Sequence, residues 1–314
     1  MVSGIGRLAI RVVHGHRTDP AKKRLSGFTL LELLVAMVIG GFVVGAVFLT
    51  HHTQRKTYAA QEQIAAMQQN LRVALFHLER DLRMAGYNPT GRAMGAGFQS
   101  ISSNSISIAM DIVGNSRHSR PDGHTDDPNE RICYALDDND KDGDLDLEKN
   151  DWLAVENVEA LSFAYAFDND GDGRLDWRDK DGNGRFDPGE IMWAIDADGN
   201  DMLDRDLDTN GDGTIDAEDD AADGREDGLI QGSQLPGGVE VGLDRIRAVR
   251  IWLLVRTGRP VEGYTDTSAL SGSGAGYVVG NRVIRPSTEP GARFNAHHMR
   301  RLATSMVICR NLGK

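Results

Sequence analysis

The sequence predicts an α+β protein, in which a long N-terminal helix packs on an antiparallel sheet and an acidic, loop-rich insertion interrupts the strands. Three observations predict it. An apolar run from Phe28 to Thr50 leads into a helical pattern that ends at Gly86-Tyr87-Asn88-Pro89. Several strand-like apolar segments flank the middle of the chain, and the middle itself repeats aspartate at alternate positions.

Residues 1–27 read as a leader. Arg7, Arg11, Arg17, Lys22, Lys23 and Arg24 face a single acid, Asp19. The next 23 residues, Phe28–Thr50, span a hydrocarbon core of ~30 Å at ~1.5 Å per residue. The basic flank predicts that the amino end stays cytoplasmic and the remainder is exported. A secretory signal would place a small-residue cleavage site after the apolar run, whereas here the helical pattern continues. Glu32 breaks the apolar run near its start, where an unpaired carboxylate is costly and expects a cationic partner. An amine created by cutting before Phe28 is the obvious one. Beyond the span, Ile64, Met67, Leu71, Leu75, Leu78 and Leu82 fall on one helical face, and Gly86 followed by Pro89 terminates it. The helix is therefore expected over 28–86, with 28–50 in membrane or filament.

KKRLSGFTLLELLVAMVIGG resembles the class III signal of type IV prepilins. That resemblance implies cleavage between Gly27 and Phe28 by prepilin peptidase, N-methylation of Phe28, and a Glu32 that pairs with the new amine during assembly with other pilins or pseudopilins. Gly40, Gly41 and Gly45 would let neighbouring helices approach closely, or would simply loosen the helix. ERDLRMAGY at the helix end and RRLATSMVICRNLGK at the C-terminus resemble PilW-type minor pilins. The resemblance covers roughly residues 20–110 and 240–314 and implies a pilin-like fold, an inner-membrane anchor before assembly with the head in the periplasm, and a place at the cell surface afterwards.

The head divides into 87–136, an acidic segment 137–227, and 228–314. Strands are expected at SISIAM (Ser105–Met110), VEALSFAYAF (Val158–Phe167), RAVRIWLLVR (Arg247–Arg256) and the final segment, with Trp252 in the core. The net charge of −12 is unevenly spread. Residues 137–227 hold 32 of the 47 acidic residues and 8 of the 35 basic ones, a charge of −24 against +12 for the rest. Such density leaves a segment disordered or demands a neutralising partner. The basic remainder forms no stripe interleaved with aromatics, which argues against nucleic acid.

Five windows place oxygens at alternate positions. The first has Asp138, Asp140, Asp142 and Asp146 around Gly143, and the second Asp168, Asp170, Asp172, Asp176 and Asp179 around Gly173. The third has Asp179, Asp181, Asn183, Asp187 and Glu190 around Gly184. The fourth has Asp196, Asp198, Asn200 and Asp204, with Asp201 in place of glycine, and the fifth Asp208, Asn210, Asp212, Asp216 and Asp219 around Gly213. Calcium takes six to eight oxygens at about 2.3–2.6 Å, and side chains at loop positions 1, 3 and 5 converge on one point when position 6 permits a sharp turn. Position 8 is apolar in all five (Leu145, Leu175, Phe186, Leu203, Ile215) and is expected to anchor each loop. The third window matches the full twelve-residue EF-hand pattern; the first is weakened by Lys149 at position 12 and the fourth lacks both the glycine and the final acid. Without long flanking helices, the tandem arrangement resembles dockerin or thrombospondin type 3 loops. Calcium is the expected cofactor, and an acidic disordered linker the competing reading.

Cys133 and Cys309 offer one possible disulfide if the head is exported, or two buried thiols. His51-His52 and His297-His298 have no motif around them and are expected at the surface, and no catalytic constellation stands out. The expected function is structural: a minor type IV pilin with a calcium-stabilised head, or alternatively a minor pseudopilin of a type II secretion system or a membrane-anchored calcium-dependent adhesive module.

Overall fold

The computed structural model describes residues 27–114, 120–138, 144–222, 224–225, 227–268, 276–289 and 291–312. The expected leader, apart from Gly27, and Asp140, Asp142 and Gly143 of the first window lie outside them. The chain comprises two compact units, Met1–Arg55 and Lys56–Lys314. Helix α1, Leu30–Met84, begins in the first and ends in the second.

In the first unit α1 is long and apolar enough to cross a membrane, and its apolar stretch is exposed throughout. In the second unit α1 buries Met67, Leu71, Ala74, Leu78 and Leu82, with Ile64 and Leu75 half-buried beside them. The face is the expected one, turned slightly so that the small Ala74 is fully buried along with Leu78 and Leu82. Gly86 ends the helix at φ +75, donates its N–H to the carbonyl of Ala109 at 3.0 Å, and leaves no room for a Cβ beside Leu312.

Five short strands follow as a meander: β1 Gly97–Ile101, β2 Ile106–Ala109, β3 Arg131–Asp137, β4 Asp146–Lys149 and β5 Trp152–Val155. All four pairings are antiparallel. β6, Val158–Phe167, is buried at every residue and starts a second sheet. Later come β7 Ala194–Ile195, β8 Met202–Leu203, β9 Arg205–Asp206, helix α2 Ala217–Ala222, β10 Ser233–Gln234, β11 Val241–Gly242 and β12 Ile246–Arg256. The chain closes with β13 Tyr277–Val279, β14 Arg282–Ile284 and β15 Arg300–Ile308. The six-stranded sheet runs β10-β9-β7-β6-β12-β15, so β12 sits between the two other long strands and β15 forms an edge.

The α+β class and the long-helix, antiparallel-sheet architecture are those expected, but the strands do not share one sheet. SISIAM contributes β2 to the five-stranded sheet, while the other three segments form the six-stranded one. Nor is 137–227 a single insertion. The apolar WLAV and VEALSFAYAF runs within it become β5 and β6, leaving the second to fifth windows between β6 and β12.

One core lies between α1 and the sheets, built on Leu78, Leu82, Ile108, Tyr134, Phe163, Tyr165 and Leu253. A second lies on the other face of the six-stranded sheet, where Trp193, Trp252, Leu254 and the β13–β14 hairpin pack. Asp81, buried on α1, ties the helix to the first sheet by accepting from Tyr134 Oη at 2.7 Å and Lys149 Nζ at 2.6 Å, with Arg80 Nε at 2.8 Å. Burial alone would raise its pKa, but these three donors outweigh that and hold it below the usual carboxylate range.

Candidate functional site

Gly27 and Phe28 precede the first turn of α1 and are exposed, and an added Cβ at Gly27 would meet nothing within 4 Å. Glu32 does find a local partner. Its Oε2 accepts from Thr29 N–H at 2.9 Å and Thr29 Oγ1 at 3.0 Å, while Thr29 Oγ1 accepts from Glu32 N–H at 3.2 Å. Thr29-x-x-Glu32 is thus a reciprocal capping box, readable in the sequence from Thr–x–x–Glu spacing but missed there. In the uncut chain the nitrogen of Phe28 is an amide, so the carboxylate expected to bind an amine is held by the helix start instead. Gly40, Gly41 and Gly45 have open space where a Cβ would stand.

The second to fifth windows fold to one pattern. At position 1, Asp168, Asp179, Asp196 and Asp208 each fold inward and accept the position 6 N–H, from Gly173 at 3.2 Å, Gly184 at 3.0 Å, Asp201 at 2.9 Å and Gly213 at 3.0 Å. Position 3 accepts the N–H of position 5, at 3.0 Å in Asp170, 2.9 Å in Asp181, 3.2 Å in Asp198 and 2.9 Å in Asn210. Position 5 in turn accepts the N–H of position 7 in all four. These are successive Asx turns, and each draws its side-chain oxygens to the inside of the loop. Position 6 needs φ > 0, supplied by Gly173 (+83), Gly184 (+69) and Gly213 (+95). The fourth window keeps the turn without glycine because Asp201 itself adopts φ +61.

The loops close in two ways. In the second and fourth, the position 9 acids Asp176 and Asp204 accept the position 2 N–H, at 3.3 and 2.8 Å. In the third and fifth, the position 12 acids do so: Glu190 accepts from Lys180 N at 3.0 Å and Asp187 N at 2.9 Å, and Asp219 from Thr209 N at 2.6 Å and Asp216 N at 2.9 Å. Among the described residues, two sets bring three carboxylates close enough to share one cation, with ligand atoms within 4.8 Å of one another: Asp168, Asp170 and Asp176, and Asp179, Asp181 and Glu190. Burial, and then the neighbouring Asp170, Asp168 and Asp172, raise the pKa of Asp176, the mark of crowded anions.

Several site residues fall elsewhere than expected. In the first window Asp146 is buried in β4 and accepts Asn157 N–H at 2.7 Å, and neighbouring Asp144 pairs with Arg256 at 2.8 Å. Its position 12, Lys149, bonds Asp81. The described part of that window is thus built into the sheet. Phe186, expected as an anchor, is half exposed and makes an edge-to-face contact with Trp177 at 6.2 Å, whereas Leu203 is fully buried and Leu175 and Ile215 pack on the outer core. Cys133 and Cys309 are both free, on different sheets' strands or their ends, the first exposed and the second buried. His298 is buried rather than at the surface. Basic partners that sequence spacing could not reveal also appear: Lys180 Nζ bonds Asp208, Arg178 pairs with Asp206 at 3.2 Å, and Arg247 approaches Asp168 at 3.7 Å. The hollow of about 690 Å³ at the helix end is lined by glycine-rich backbone with Tyr87, Asn88, Gln99, Asp244 and Asn311, and sets no nucleophile beside a base.

Residues 22–48 match the prokaryotic N-terminal methylation motif. No curated protein matches the chain. Among solved structures, a type IV-like pilin from Thermus thermophilus is similar at 14% identity with a TM-score of 0.34, over 79% of this chain and 98% of that one. The methylation motif thus lies at the start of the exposed apolar stretch of α1 and includes Phe28, Thr29 and Glu32.

Proposed function

We propose that the protein is a minor type IV pilin: an assembly subunit anchored by α1 in the inner membrane, with its head in the periplasm before assembly and on the surface in a filament. The observation that carries this reading is the sequence Gly27-Phe28-Thr29 with Glu32, placed at the start of a helix long and apolar enough to cross a membrane, whose apolar stretch is exposed among the described residues. Prepilin peptidase would cut before Phe28. The new amine then competes with Thr29 for the Glu32 carboxylate, and a neighbouring subunit's amine can do the same in low dielectric.

Calcium is the proposed cofactor of the head. The Asp168–Asp170–Asp176 and Asp179–Asp181–Glu190 sets offer hard, flexible oxygens, the donor type calcium prefers. Asp196, Asp198, Asn200 and Asp204, and Asp208, Asn210, Asp212, Asp216 and Asp219, would form further, weaker sites. The cation would neutralise the acidic loops between β6 and β12.

A strain lacking the gene, scored for sheared surface pili and for secreted proteins, tests the assembly role. Loss of pili with normal secretion, restored by wild type but not by Glu32→Ala, supports the minor pilin. Normal pili with blocked secretion would move the protein to the pseudopilins, which share the N-terminal motif. Neither defect would favour an anchored binding module.

A further inference from the structure

The head carries two exposed patches of opposite character. The first is the β4–β5 hairpin. Asn150 and Asp151 turn it with φ +53 and +63, and Trp152 and Leu153 follow at 79% and 49% exposure. Asp151 and Glu156 flank them as exposed acids. A tryptophan left so open at a rigid hairpin tip is unusual inside a folded chain and common at the centre of an interface.

The second patch lies on the edge strand β15. Met306 and Ile308 are 48% and 53% exposed and, with Arg83 and Arg310, line a hollow of about 480 Å³. Cross-strand register sets Arg250 beside Met306 on the same face. The Arg250 guanidinium lies over the rings of Trp252 at 4.8 Å and Trp193 at 5.6 Å, and burial pushes its pKa down. Among the described residues neither Arg250 nor Arg310 pairs with a carboxylate, although Arg83 pairs with Glu79. A half-buried cation stacked on two rings without an anion is a site that a partner's carboxylate would complete.

The patches complement one another: an aromatic knob flanked by acids, and an apolar hollow flanked by arginines. We propose that the β4–β5 hairpin of one copy, led by Trp152, docks on the Arg250–Met306–Ile308–Arg310 surface of a second copy. The contact is heterologous, so every copy offers both halves and copies can follow one another in a row. It involves none of the acidic loop ligands and is independent of calcium.

Cys133 provides a reporter. It is exposed, and its backbone N–H donates to Asn150 Oδ1 at 2.7 Å, which sets it beside the hairpin turn. The full chain carrying Met306→Cys, in the membranes of cells expressing it, is oxidised and run on a non-reducing gel. The expected result is a ladder of multiples of the chain, absent when Cys133→Ser is added and reduced about tenfold by Trp152→Ala, the low end for a central interfacial tryptophan. Arg310→Glu should weaken the ladder too. An unlinked monomer, a link within one chain, a band joined to a different protein, or a ladder indifferent to Trp152→Ala would each overturn the proposal.

Discussion

Removing calcium is the perturbation that tests the acidic loops most directly. Among the described residues, two carboxylate triads are close enough to share an ion, Asp168–Asp170–Asp176 and Asp179–Asp181–Glu190. Extracellular calcium modules bind with Kd of about 0.1–1 mM, so about 10 mM calcium stabilises the folded state by roughly 1.4–2.7 kcal/mol per site. Two sites together give roughly 3–5 kcal/mol, which for a head of this size is a midpoint shift of roughly 6–20 °C. The assay is thermal unfolding of the full chain in detergent, in calcium and in chelator. Glu190→Gln removes the anion that closes the third loop and should remove about half of the shift, because the second loop closes on Asp176 and does not use Glu190. Equal midpoints with calcium and chelator would refute the reasoning. So would an equal rise with magnesium at matched ionic strength, which would signify screening of the acidic loops rather than coordination.

Two further predictions concern the scaffold that holds the loops. Gly280 sits at φ +58 in the turn between β13 and β14, and an added Cβ would lie 2.5 Å from Ser162 Cβ on β6. Gly280→Ala should cost roughly 2–5 kcal/mol from left-handed strain plus overpacking, or roughly 4–20 °C, and Ser162→Gly in the same chain should recover only the overpacking part. His298 donates from Nδ1 to Thr257 O at 2.6 Å and takes Arg256 at Nε2, 3.1 Å away. Burial first, then the Arg256 and Arg300 charges, lower its pKa against the opposing pull of the Thr257 carbonyl and Glu159. Its folded form resists protonation, so its contribution is complete above about pH 6.5 and is lost as pH falls through the lowered folded value. Midpoints measured between pH 7.5 and 5 should fall more steeply for wild type than for His298→Gln, and parallel curves would sink the assignment.

What could be read from the sequence was local. The rows Met67–Leu71–Leu78–Leu82 appear because a 3.6-residue period repeats every turn, and VEALSFAYAF because a strand buried on both faces is largely apolar, Glu159 and Ser162 being its exceptions. The Asx turns were readable too, since positions 1, 3, 5 and 6 lie within a few bonds of one another. What escaped depends on distance along the chain. Nothing in SISIAM says that its partner is β3 rather than β6, and nothing near Asp144 announces Arg256, more than a hundred residues on. Asp201 shows a limit of a different kind. Glycine is the easiest residue at φ > 0, but aspartate tolerates it when its neighbours supply the hydrogen bonds, so the missing glycine did not remove the turn.

The resident cations among the loops lead to a prediction with a definite sign. Lys180, at position 2 of the third loop, bonds Asp208 at position 1 of the fifth and also donates to Gly189 O at 3.3 Å. Both charged groups are largely buried, so the ammonium serves as a fixed counter-ion where the fifth loop would place its metal. The third loop has no such competitor on Asp179 or Glu190 among the described residues. Calcium should therefore fill the third loop before the fifth. Lys180→Met leaves Asp208 buried without its cation, and breaking such a pair costs roughly 3–5 kcal/mol. That loss should appear in full in chelator and be largely offset in calcium, where the metal takes the place of the ammonium. The gap between the calcium and chelator midpoints must then widen. If Lys180→Met lowers both midpoints equally, Asp208 does not bind the ion, and the fifth loop is held by its lysine alone.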